Sequence, residues 1–60
     1  MNKIEINKRM VGKKVFVNAN PPWEGRVVGV VNGEILSVMR PTGKVTIVNI
    51  YDVRSLENAQ

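Results

Sequence analysis

Apolar residues along this chain fall into short runs separated by Gly, Pro and Asn, with no long apolar stripe at helical spacing. After Gly12, Lys13-Lys14-Val15-Phe16-Val17 alternates as a strand does. Asn18-Ala19-Asn20-Pro21-Pro22 must then be a loop, because successive prolines lack donors and force the residue before them out of the helical region. Trp23-Glu24-Gly25 closes it. Arg26 to Val31 predicts a second strand, with Gly29 inside it marking a bulge or sharp bend. Asn32-Gly33 predicts a two-residue hairpin turn of type I′. Glu34 to Arg40 predicts the returning strand, Pro41-Thr42-Gly43-Lys44 a further turn, and Val45 to Ile50 a fourth strand. Residues 1–10, in which Ile4 and Ile6 flank Glu5, read as a basic N-terminal arm or an edge strand; residues 11–60 read as the folded domain.

Composition fixes the class. Eleven Val, five Ile and two Thr stand against two Leu and two Ala, the reverse of a helical balance. Five short β-segments with closely spaced turns and a kinked central strand predict an all-β protein, a small five-stranded SH3-like barrel. Asp52-Val53-Arg54-Ser55 is the candidate for a short helical turn before the last strand. A five-stranded barrel of the oligonucleotide-binding type is the rival architecture.

Two strands are apolar on both faces. Val27 and Val31 alternate against Val28 and Val30, and Val45 and Ile47 against Val48 and Ile50, whereas a small barrel has one interior. Either bending at Gly29 buries both sets, or the surplus predicts a homo-oligomer or a protein interface.

Charge and missing residue types narrow the function. The net charge is +4, and all of it lies in the first 14 residues, where Lys3, Lys8, Arg9, Lys13 and Lys14 face only Glu5. A basic arm on a neutral body is an electrostatic footprint of nucleic-acid binding, and also of a merely solvated terminus. With no Cys and no His, disulfides, common zinc sites and His-based acid–base or nucleophilic catalysis lose their groups, so no metal is expected. The five glycines are spread at 12, 25, 29, 33 and 43, so no phosphate loop forms. No apolar run approaches the roughly 18 residues of a membrane span and the start lacks a signal-peptide core; a cytoplasmic location with no membrane partner is the expectation.

Two families resemble parts of the chain. Trp23-Glu24-Gly25-Arg26-Val27-Val28-Gly29 and Val48-Asn49-Ile50-Tyr51-Asp52-Val53-Arg54-Ser55-Leu56-Glu57 resemble the plasmid-borne type II dihydrofolate reductases, over about residues 12–57. That resemblance implies an SH3-like barrel assembled as a homotetramer, using NADPH, insensitive to trimethoprim, with Asn49, Ile50 and Tyr51 at the pore. Hydride transfer by positioning needs no protein acid or base, so the absence of His is compatible with it. The sequence departs from the family where Asn49 replaces its pore glutamine, and where Val17 and Asn18 stand for its pore lysines. Gly12-Lys13-Lys14-Val15-Phe16-Val17 with Glu24-Gly25-Arg26-Val27-Val28-Gly29-Val30 is similar to the KOW-type element of barrels in ribosomal proteins and transcription elongation factors. It implies a non-catalytic module contacting nucleic acid or a protein of the expression machinery, without a cofactor.

Lys8, Arg9, Lys13, Lys14 and Arg26 are then the candidate phosphate or partner contacts. Trp23, at the end of its loop, either stacks on a base or plugs the barrel mouth. Pro21, Pro22 and Trp23 beside the surplus Val and Ile would equally suit a dedicated protein-binding module, such as a bacterial or phage regulatory protein. The favoured expectation is the nucleic-acid or expression-machinery binder, with the reductase second.

Overall fold

The structure, a computed structural model, describes residues 8–56. Its strands are β1 Lys14–Val17, β2 Trp23–Val30, β3 Ile35–Met39, β4 Val45–Asn49 and β5 Val53–Ser55, with a 3₁₀ turn at Ile50–Asp52 before β5. They form one antiparallel sheet in the order β4-β3-β2-β1-β5. The described residues are all-β, as the composition predicts, with five antiparallel strands in one sheet and a single 3₁₀ turn before the last of them. The arm or edge strand expected over residues 1–10 lies mostly outside the described residues. Its described end is a turn, in which Val11 N donates to Lys8 O (3.2 Å) and Lys13 N to Met10 O (2.9 Å).

β2 is the spine because it serves two half-sheets. Trp23 to Arg26 pairs with β1, and Arg26 to Val30 pairs with β3. The ladder to β3 slips between Val27 and Gly29, so Val28 is the extra residue of a bulge. This irregularity is the one that Gly29 predicts. It reverses the inward phase of the strand: Val27 is buried, Val28 is exposed, and Val30 again packs on the core.

The core consists of Val15 and Val17 from β1, Val27 from β2, and Leu36 and Val38 from β3. Met10, Trp23, Val30, Val48, Ile50 and Val53 close around it, so every strand contributes to one interior. The glycine that this interior cannot replace is Gly25. A Cβ there would lie 2.5 Å from Met39 O and 2.8 Å from Val38 Cγ1, whereas at Gly29 the nearest atoms, on Ser37, are 3.8 Å away.

Two local expectations need correcting. The β2–β3 connection does not turn on Asn32-Gly33; Ile35 N donates to Asn32 O (3.4 Å), which puts Gly33 and Glu34 at the bend. The Asn32 side chain takes the Glu34 N–H (2.8 Å), an Asx turn that competes with the tight hairpin. The helical turn, expected at Asp52 to Ser55, begins two residues earlier. Asn49 caps it, its Oδ1 accepting from Tyr51 N (2.9 Å), and Val53 to Ser55 is free to pair with Val17 to Val15. At Pro41-Thr42-Gly43-Lys44 the turn forms as predicted, with Gly43 at φ +95°. Strand limits shift by a residue or more, most at β2, which starts at Trp23 and includes residues expected in the loop. The Asn20–Pro21 peptide in that loop is cis.

Among the described residues, no helix is long and apolar enough to cross a membrane.

Candidate functional site

The register decides which exposed residues become neighbours. Val15 and Val17 of β1 are buried, so Lys14 and Phe16 take the outer face. Lys14 stands opposite Arg26, and Phe16 stands between Glu24 on β2 and Arg54 on β5. The Arg54 guanidinium carbon lies 5.2 Å from the centroid of the Phe16 ring, a cation–π contact. Arg26 Nη1 donates to the carbonyl of Gly12. One half of the outer face thus carries Lys14, Arg26 and Arg54 with Glu24 as its carboxylate, arranged around one aromatic ring.

Lys13, the next candidate, is exposed beside this face, and its carbonyl accepts from Val27 N (3.0 Å). Lys8 and Arg9 are exposed on the turn that leads into β1. The β1–β2 pair, not sequence proximity, joins Lys14 to Arg26.

Trp23 is placed differently from the loop tip expected of it. It belongs to β2 opposite Val17, is half-buried, and packs against the core. Its ring carries the Arg40 guanidinium at 4.0 Å, and Arg40 Nε also donates to Thr46 Oγ1 (3.0 Å). The indole is thus held between the core on one side and Arg40 on the other. Lys14, Glu24, Arg26, Met39 and Arg40 line a shallow open depression beside it.

Asn49, Ile50 and Tyr51 are consecutive, yet they do different work. Asn49 caps the 3₁₀ turn, Ile50 packs on the core, and Tyr51 stands 70% exposed. A second depression, lined by Phe16, Asn18, Tyr51, Asp52, Val53 and Arg54, opens beside this tyrosine.

The other half of the outer face is apolar. Met39 pairs with Val45 and Ser37 with Ile47 across β3 and β4, and Val28 bulges out from β2. Val28 is 43% exposed, Val31 55%, Val45 50% and Ile47 58%. The bend near Gly29 therefore does not bury both apolar sets. Among the described residues β4 pairs with β3 alone and forms one edge of the sheet, with no charged residue or proline in Val45–Asn49 to guard it.

Sequence reasoning missed Arg54, Phe16 and Arg40 as site residues. For Arg40 a cue existed in its place just before the Pro41 turn; for Phe16 and Arg54 the only cue is long-range register.

Compared with known proteins, the chain matches no family model, no curated protein and no solved structure. The two family resemblances therefore rest on the quoted residues alone.

Proposed function

We propose that this protein is a non-catalytic binding module whose ligand is nucleic acid, met by the half-sheet β5–β1–β2. The observation that supports this reading is the cross-strand grouping of Lys14, Arg26 and Arg54 around Phe16. Phosphate contacts need clustered cations on a rigid support, and strands hold such side chains in fixed register. Lys13, Lys8 and Arg9 extend the same field toward the N-terminus, and the net charge of +4 raises the encounter rate with a polyanion. A gel-shift titration tests it: binding to RNA or DNA weakens steeply with added salt, and Lys13→Ala with Lys14→Ala weakens it further. Salt-insensitive or absent binding by the folded chain overturns the reading.

A second reading concerns assembly. Val45 and Ile47 on the unguarded edge strand β4 support pairing with a second copy, since an antiparallel edge is complementary to itself about a two-fold axis. Sedimentation tests it, with a dimer or tetramer expected and a monomer at high concentration contradicting it. The reductase alternative depends on such a tetramer and on NADPH oxidation with dihydrofolate in the presence of trimethoprim. No turnover by the chain or by Asn49→Gln disposes of it.

A further inference from the structure

We infer that the depression between Phe16 and Tyr51 is a base-stacking subsite, and that the nucleic acid this module takes is single-stranded; this rests on the nucleic-acid reading above. Tyr51 is the most exposed large apolar side chain among the described residues, at 70%. An exposed aromatic ring needs a rigid base to act as a platform, and this one has it. Its backbone N–H is tied to Asn49 Oδ1 at 2.9 Å, the preceding Ile50 is packed on the core, and Asn18 N donates to Asp52 O at 2.7 Å. The turn that carries Tyr51 is thus stapled to the end of the strand that carries Phe16.

The chemistry of the lining points to an unstacked base. Tyr51 and Phe16 offer two ring faces, and Arg54 at 5.2 Å from the Phe16 centroid offers a planar cation that can stack or meet a phosphate. Asn18 offers an amide donor and acceptor, suited to the hydrogen-bonding edge of a base. Asp52, also in the lining, repels phosphate, so the nucleic acid's backbone is directed toward Arg54 and on to Lys14 and Arg26, which lie about 7 Å further along β1 and β2. In a duplex the faces of the bases are covered by their neighbours. A subsite built from rings therefore gains contact only where bases are splayed out.

Fluorescence anisotropy with a labelled single-stranded oligonucleotide of about 12 nucleotides, and with its duplex, tests the inference. Tyr51→Ala is expected to weaken single-strand binding roughly 5- to 100-fold and to leave duplex binding unchanged, while Tyr51→Phe keeps wild-type affinity. Circular dichroism and thermal melting of each variant verify that the exposed position leaves the fold intact. If Tyr51→Ala leaves single-strand binding unaltered, or weakens duplex binding as much, the stacking subsite is overturned while salt-dependent binding preserves the broader reading. If neither nucleic acid binds, both fail together. If a proline-rich peptide occupies the depression and a single strand does not, the site is a peptide groove and the inference is wrong.

Discussion

The two halves of the outer sheet face share one ladder and have opposite chemistry. The row that begins at Lys14 on β1 passes to Arg26 on β2, then to Met39 on β3 and Val45 on β4. Charge gives way to apolar surface between Arg26 and Met39, where β2 passes from pairing with β1 to pairing with β3. On the charged side, Glu24 and Arg54 flank Phe16; on the apolar side, Gly29 and Ile47 flank Ser37, with Val28 the extra residue of the bulge next to Gly29. The difference teaches that a fold this small separates charged from apolar surface by half-sheet, with β2 as the shared wall. One half is suited to a polyanion, the other to a surface without charge.

That division can be broken from the core beneath it. Leu36→Ala removes a fully buried side chain of β3 and is expected to cost about 2–5 kcal/mol, read by denaturant unfolding. Gly25→Ala comes next, at about 1–3 kcal/mol or more, because the new methyl meets the Met39 carbonyl where the halves join. Gly29→Ala is the matched control. With only ordinary contacts to Ser37 it should change stability by less than about 1 kcal/mol, and a loss equal to that at Gly25 would show that the close approach is not what matters. Asn49→Ala removes the cap of the 3₁₀ turn and should cost about 0.5–1 kcal/mol. Ile47→Lys sharpens the comparison from the apolar side: stability stays within about 0.5 kcal/mol, while any self-association seen in sedimentation is lost. Retained oligomers in that variant would move the interface elsewhere.

Much of the fold is legible in the residues. Runs of Val and Ile broken by Pro41-Thr42-Gly43 and by Asn20-Pro21-Pro22 determine where strands can exist, and Gly29 signals the bulge. Gly25 carries no such signal, since its need arises from Met39 and Val38 on another strand. Asn32-Gly33 misleads because a side-chain bond to Glu34 N outcompetes the tight turn. The site is less legible than the fold. Counting charge along the chain assigns the whole excess to the N-terminal segment, yet the ladder brings Arg26 and Arg54 out of a neutral stretch and sets them beside Lys14. The sequence leaves Trp23 open between an exposed stacking ring and a structural plug; its ring packs against the core, and it is Tyr51, at the end of a β-rich run, that stands exposed.

If the charged half, and not the apolar half, meets nucleic acid as proposed, substitutions in the two halves change binding in different ways. The most direct measurement is the salt dependence of oligonucleotide affinity for three forms: wild type, Lys14→Gln with Arg26→Gln, and Val45→Thr with Ile47→Thr. The first pair is expected to flatten the slope of log K against log salt by about one to two, roughly one per lost phosphate contact, while the second pair leaves it unchanged. An unchanged slope in the Lys14 and Arg26 variant, with affinity lost in the Val45 and Ile47 variant, would contradict it.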